Sequence, residues 1–139
     1  MKVKDVMHDG VAWVEPDTLL AKVAETMRDE DVGSIPVGKD DRLVGMVTDR
    51  DITIRTLADG KDPLQLTAGE VMTDEIFYCA ADEEVEDAVR IMENNEIRRL
   101  PVIDHDKRMV GMLSMGDVAA RAPASLSSEM LKAVSAHHA

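Results

Sequence analysis

Aromatic side chains are almost missing: one Trp, one Tyr and one Phe in 139 residues. Rings usually supply much of a core's apolar area, so this chain must fill its interior with aliphatics, and ten Met join many Val and Leu. Met adapts to irregular gaps and mobile interfaces; the plainer reading here is core filler. Cys occurs once, which excludes an intrachain disulfide and fits a reducing compartment. Basic groups are the minority, 16 Lys and Arg against 28 Asp and Glu, for a net charge of −12. Nucleic-acid binding rests on basic groups neutralising phosphates, and no local basic stripe offsets the acidic total. No apolar run approaches the roughly 20 residues that span a bilayer. Met1 to Gly10 carries charges throughout, unlike a signal peptide. The expectation is a soluble, cytoplasmic protein with neither a nucleic-acid nor a membrane partner.

What the chain has instead is a repeat. Ser34-Ile35-Pro36-Val37, a polar turn, and Leu43-Val44-Gly45-Met46-Val47-Thr48-Asp49-Arg50-Asp51 form the first copy. Arg99-Leu100-Pro101-Val102, a polar turn, and Met109-Val110-Gly111-Met112-Leu113-Ser114-Met115-Gly116-Asp117 form the second. Val6-Met7 recurs as Val71-Met72, Asp17 as Asp82, Met27 as Met92 and Pro36 as Pro101, each 65 positions later. Gly45 to Gly111, Thr48 to Ser114 and Asp51 to Asp117 are offset by 66, so the second hairpin turn holds one extra residue. A fixed period sets architecture before any local propensity does. One copy of about 60 residues buries too little surface to be comfortable alone, so two copies packed together are expected.

Taken in order, Val3 to Met7 is a short lead-in and Val11 to Val14 a β-prone run that Pro16 stops. Asp17 is the expected N-cap, and Leu19, Leu20, Val23, Ala24 and Met27 recur at helical spacing over Thr18 to about Glu30. Gly33 turns the chain into a strand at Ile35 to Val37. Gly38 to Asp41 is a turn, Leu43 to Thr48 the antiparallel partner, and a helix starting near Asp49 carries Ile52, Ile54 and Leu57. Ala58 to Leu66 reads as a linker. The second half repeats the plan: lead-in at Glu70 to Met72, strand at Ile76 to Cys79, and Asp82 as helix cap, with Glu83 and Glu84 at the positive end of the dipole. The helix bearing Val85, Ala88, Val89 and Met92 ends at Asn94-Asn95. A hairpin follows at Leu100 to Ile103 and Met109 to Ser114, then a short helix closed by Pro123. Ser125 to about Ser135, with Leu126, Met130, Leu131 and Val134, is an extra helix that packs on the module or on a second subunit. The division is repeat 1 at 1–58, linker at 59–66, repeat 2 at 67–122, and C-terminal helix and tail at 123–139. The class is α/β (α+β). Each half is a right-handed β-α-β crossover plus a hairpin. Two such sheets with pseudo-twofold packing leave two clefts where a ligand is expected.

Paired β-α-β-β-α units, the openings Asp5-Val6-Met7 and Glu70-Val71-Met72, a Pro-Val strand, and a Val-Gly-hydrophobic strand ending in Ser/Thr-x-x-Asp together resemble the tandem CBS-domain (Bateman module) family, and in particular its stand-alone bacterial two-CBS members. The likeness runs from Val3 to about Ala120. It implies a non-enzymatic regulatory sensor that binds an adenine nucleotide or adenosyl ligand (AMP, ADP, ATP or S-adenosylmethionine) in the cleft between repeats, and that pairs as a homodimer through the helices after Thr48 and Ser114. In that family the motif Asp faces ribose hydroxyls and the Ser or Thr faces phosphate. Here these are Asp51 with Thr48, and Asp117 with Ser114. Ser34, Ile35 and Pro36, and Arg99, Leu100 and Pro101, would supply backbone to base and sugar, and Arg50, Arg98 and Arg99 would reach phosphates.

Each site residue has a plain structural alternative. Ser/Thr-x-x-Asp at a helix start is also a capping box needing no ligand. The arginines can form solvated ion pairs on an acidic surface. Trp13 and Tyr78 occupy equivalent positions; a ring there can stack on adenine, or plug the core or an interface and keep nucleotide out. Gly116 stands where the first motif has Arg50, so the two sites are unequal. His8, His105, His137 and His138 show no ligand spacing with Cys79; His137-His138 reads as tail and Cys79 as a small buried filler. With no nucleophile–base pair, no Gly-rich phosphate loop and no metal set, an enzyme is not expected. Two classes remain: a ligand sensor, or a ligand-free dimer acting on a partner protein in a stress response.

Overall fold

The computed structural model describes residues 1–135; His137 and His138 lie outside the described residues. The chain forms α1 (Val3–Val6), β1 (His8–Asp9), α2 (Leu20–Glu30), β2 (Ser34–Lys39), β3 (Arg42–Thr48), α3 (Asp49–Ile52), α4 (Ala68–Val71), β4 (Cys79–Ala80), α5 (Val85–Asn95), β5 (Arg99–Ile103), β6 (Met109–Ser114), α6 (Met115–Arg121) and α7 (Ala124–Ser135). After α3 the helix continues as a π-helical turn at Thr53–Leu57, where the expected helix of Ile54 and Leu57 lies.

Packing divides the chain into two units. The first-repeat unit is Ala12–Ile76; the second-repeat unit is Met1–Val11 together with the described chain from Phe77 to Ser135. In the first, β2 and β3 form the expected hairpin, with Ser34 opposite Thr48 and Ile35 opposite Val47. Its tight turn is Asp40-Asp41, both with left-handed φ of 54° and 59°, a conformation Asp tolerates through its short polar side chain. Val14 touches the hairpin through a single parallel bridge to Val37, so the strand expected over Val11 to Val14 is reduced to one residue. The core gathers Leu20, Val23 and Met27 of α2 with Ile35, Val37, Val47, Ala68 and Val71.

The second-repeat unit holds a sheet ordered β1-β6-β5-β4. Strand β4 runs parallel to β5, and β5 and β1 run antiparallel to β6. The strand expected at Ile76 to Cys79 begins only at Cys79. Val3, Val6, Val85, Ala88, Val89, Met92, Leu100, Val102, Leu113 and Val118 form the core. Helix α7 packs on α5 and α6 of this unit, with Leu126 against its core.

The repeat of the sequence and the unit of packing are divided at different places. Each repeat's lead-in folds into the other repeat's unit: Val3 and Val6 with the second repeat, Ala68 and Val71 with the first. This exchange also corrects the expected caps. Helix α2 starts at Leu20 with Leu19 as N-cap, and α5 at Val85 with Glu84 as N-cap, neither giving a side-chain cap. Asp17 and Asp82 lie outside both helices. The reason is that the leading donor of each helix is already satisfied by backbone: Leu20 N–H donates to the Leu66 carbonyl, and Val85 N–H to the Met1 carbonyl. Backbone from the linker and from the start of the chain does the work assigned to an aspartate. Helix α2 leaves through Asp31 and α5 through Glu96, both left-handed with φ of 55° and 54°, so Gly33 is not the residue that reverses the chain.

Gly45 and Gly111 make room for the lead-ins. A Cβ on Gly45 would stand 2.5 Å from the Met72 sulfur and 3.0 Å from the Thr73 carbonyl oxygen. One on Gly111 would collide with the His8 carbonyl oxygen. No helix among the described residues is long and apolar enough to cross a membrane.

Candidate functional site

Both Ser/Thr-x-x-Asp motifs sit where a hairpin strand becomes a helix. Thr48 caps α3 and Ser114 caps α6, each with extended backbone dihedrals. The capping box is complete in both. Asp51 N–H donates to Thr48 Oγ1 at 3.0 Å, and Thr48 N–H donates back to Asp51 Oδ2 at 3.0 Å. In the second motif the corresponding distances are 3.1 Å and 2.8 Å. The plain structural role is therefore filled in each unit.

A carboxylate has two oxygens and about four lone-pair sites, so the box leaves one oxygen of each Asp to be accounted for. Asp51 Oδ1 has only the Arg55 Nε at 3.9 Å, beyond hydrogen-bond reach, and Asp51 is 18% exposed. Asp117 Oδ1 lies 2.5 Å from His8 Nδ1, and Asp117 is 5% exposed. The first carboxylate has one oxygen without a hydrogen bond; the second has both oxygens engaged.

Around the first motif, Ser34 stands opposite Thr48 on the hairpin, and its hydroxyl oxygen is buried with no hydrogen-bond partner. Buried polar atoms without partners are uncommon and call for an explanation. The matching position opposite Ser114 holds Arg99. Ile35 and Leu100 are wholly buried in their cores, so what they offer a ligand is backbone. Pro36 and Pro101 are buried beside them, and the Pro36 carbonyl already accepts from Val14 N–H at 3.1 Å.

Arg50 and Arg98 are exposed and Arg99 is half-buried. None has an ion pair among the described residues, so the surface pairs expected as their alternative role do not form. Neither aromatic ring belongs to its unit's core: Trp13 is half-buried and Tyr78 is 46% exposed. Neither ring is therefore a core plug, and a place for them at an interface stands as the other half of that expectation. Cys79 is fully buried, its thiol donating weakly to the Pro101 carbonyl. Burial first, and the Glu83 charge second, push this thiol up to about 12, which makes it the inert filler expected.

Four residues around the motifs escape a reading of local pattern. Arg55 Nη1 donates to the Val71 and Met72 carbonyls at 3.1 and 2.9 Å. Arg121 Nη1 donates to the Val6 and Met7 carbonyls at 3.1 and 3.4 Å. Each arginine thus clamps the lead-in that has crossed into its unit. Their spacing was the available signal, since Arg121 follows Arg55 by the same 66 positions as the motifs. The other two are Thr73 and His8, the residues each lead-in delivers beside β3 and β6.

Comparison with known proteins places these features in a family. A CBS-domain family model matches residues 3–55 and again 68–123. Hypoxic response protein 1 of Mycobacterium tuberculosis is 40% identical over 132 residues, covering 94% of this chain and 92% of that protein. The crystal structure of Hypoxic Response Protein I with two coordinated zinc ions superposes with a TM-score of 0.81 at 40% identity, over 88% of this chain and all of that one (100%). The crystal structure of CBSX2 in complex with AMP matches with a TM-score of 0.75 at 26% identity, over 87% of this chain and 95% of that one.

Proposed function

Because this chain belongs to the CBS-domain family, as a tandem of two such domains, we propose that it is a non-enzymatic regulatory module that binds an adenine nucleotide or adenosyl ligand at a Ser/Thr-x-x-Asp motif. One observation carries the reading: the motif of the first-repeat unit keeps an Asp51 carboxylate oxygen without a hydrogen bond, its neighbour being the Arg55 guanidinium at 3.9 Å. The orphaned Ser34 hydroxyl on the adjoining strand adds to it. A carboxylate accepts paired ribose hydroxyls, each oxygen offering lone pairs to an O–H donor. Arg50, exposed and unpaired, stands beside the motif to meet a phosphate. The AMP held by CBSX2 supports the choice of ligand class. Among the described residues no three His, Cys, Asp or Glu side chains gather to hold a metal.

The module acts in the cytoplasm as a homodimer. Ile54 and Leu57, 41% and 66% exposed on the π-helical turn after Thr48, supply apolar surface for that pairing. A ligand shifts such an assembly only through its different affinities for two states, so signalling runs through dimer contacts to a partner protein.

The test is a thermal-shift screen against AMP, ADP, ATP and S-adenosylmethionine, with Asp51→Ala and Asp117→Ala alongside. A ligand at about 100 times its Kd stabilises by roughly 2.7 kcal/mol. A shift with one adenine ligand that disappears in an Asp variant is the expected result. No shift at millimolar concentration with any of them rejects the sensor reading and leaves the ligand-free interaction module, whose caps are already complete without a ligand.

A further inference from the structure

The two motifs are alike in sequence but not in what the exchanged lead-in brings to them. Strand β1 pairs with β6 so that His8 faces Met112. Thr73 bridges to Met46, the equivalent residue of the first hairpin. His8 and Thr73 are themselves equivalent, 65 positions apart. Thr73 is engaged by Arg55 Nη2 at 3.5 Å, and among the described residues no hydrogen bond joins it to Asp51. His8 instead reaches Asp117 Oδ1 at 2.5 Å. An imidazole with a proton on Nδ1 donates to that oxygen, at the position a ribose hydroxyl would take.

Resting on the nucleotide reading above, we infer that His8 is a resident occupant of the second motif, and that it confines ligand binding to the first-repeat unit. Three observations converge on this. Both oxygens of Asp117 are engaged, one by Ser114 N–H and one by His8. Asp117 is 5% exposed against 18% for Asp51. The strand residue beside the motif is Arg99 in the second unit and the unpartnered Ser34 in the first. A ligand at the second motif would have to displace His8 from a buried carboxylate, whereas at the first it meets an oxygen with no hydrogen bond to give up. Breaking a hydrogen bond to a buried charged group is costly. His8 is a specificity-determining residue that acts by filling a place; it takes part in no reaction.

The residue the repeat itself supplies makes the test. His8→Thr installs the first unit's residue in the second, and Thr73→His does the reverse. Neither change enters a core: His8 is 68% exposed and Thr73 is part-exposed. Calorimetric titration with AMP is expected to show one site per chain in the parent protein, two in His8→Thr, and a loss of at least tenfold in affinity in Thr73→His. Asp51→Ala should abolish the parent's single site and leave one in the His8→Thr background. Two sites in the parent, or one that is lost in Asp117→Ala and kept in Asp51→Ala, would overturn the inference while upholding nucleotide binding. One site persisting unchanged in His8→Thr would overturn it too. No heat from the parent or any variant rejects the nucleotide reading itself, and this inference falls with it.

Discussion

The two units share one plan and differ at the second oxygen of one carboxylate. Each has a hairpin, a capped helix and an arginine holding a borrowed lead-in. In the first unit the Asp51 carboxylate leaves an oxygen with only Arg55 nearby at 3.9 Å. In the second the Asp117 carboxylate is buried and paired with His8. The difference comes from the lead-in, a segment that the sequence places at the start of the opposite repeat. Identical caps therefore do not imply equivalent sites: the capping box consumes one oxygen in each unit, and a residue from far along the chain decides the fate of the other.

The comparison breaks most completely if a lead-in is removed. Deleting residues 1–7 takes Val3 and Val6, both wholly buried, out of the second unit's core and leaves the start of α5 without the Met1 carbonyl. Burial of a Val contributes about 1.5–3 kcal/mol, so the loss rivals the stability of a small domain. The expected outcome is that amide-exchange protection collapses in α5, β5 and β6 while the hairpin of β2 and β3 keeps its own. Collapse of the first repeat instead would show that the lead-in serves its sequence neighbours.

A smaller effect is expected at the glycines. Gly111→Ala forces a Cβ against the His8 carbonyl, a backbone atom that cannot swing away. Overpacking of this kind costs about 1–3 kcal/mol. Gly45→Ala meets the flexible end of Met72 first and the Thr73 carbonyl at 3.0 Å, so it should cost less. Chemical denaturation of the two variants gives the ranking, and a larger cost at Gly45 would contradict the closer approach of β1 to β6. The clamps follow, at a cost no greater. Arg121→Ala and Arg55→Ala each remove two hydrogen bonds to carbonyls that gain partial access to water, at about 0.5–1.5 kcal/mol per bond. Arg55→Ala should also leave Asp51 more open and tighten nothing else; a thermal-shift measurement with and without AMP separates the two effects.

Much of this plan is legible in the chain, and the exceptions share a cause. The hairpins follow from Pro-Val and Val-Gly strands around Asp-rich turns, and α2 and α5 from Leu20, Val23, Met27 and their counterparts, because these signals are local. The motif positions also follow, since Thr48, Asp51, Ser114 and Asp117 cap the helix they begin. The misplaced caps at Asp17 and Asp82 and the hidden roles of His8, Thr73, Arg55 and Arg121 are all consequences of the exchange. Val6-Met7 and Val71-Met72 carry the same pattern, so either lead-in fits either unit, and nothing local tells which one goes where. The offset between Arg55 and Arg121 was readable, but what they hold was not.

The smallest effect concerns the one position where a cysteine of the second repeat replaces a valine of the first. Cys79 follows Val14 by 65 positions, and both are buried. Burial pushes the Cys79 thiol up to about 12 from 9.0, so between those values the folded chain keeps a proton that the unfolded chain releases. Unfolding is then favoured by rising pH: the thiol's contribution is intact below about pH 9 and is lost progressively toward pH 12. Cys79→Val removes that dependence. At neutral pH it is a near-isosteric apolar exchange, expected to change stability by less than about 1.5 kcal/mol. Denaturation of both proteins from pH 7 to pH 10.5 should give curves that agree at neutral pH and diverge above pH 9, with the parent falling faster. Parallel curves would mean that the thiolate is formed as readily in the folded chain as in the unfolded one. The cysteine would then be an exposed, reactive group in place of a stand-in for valine.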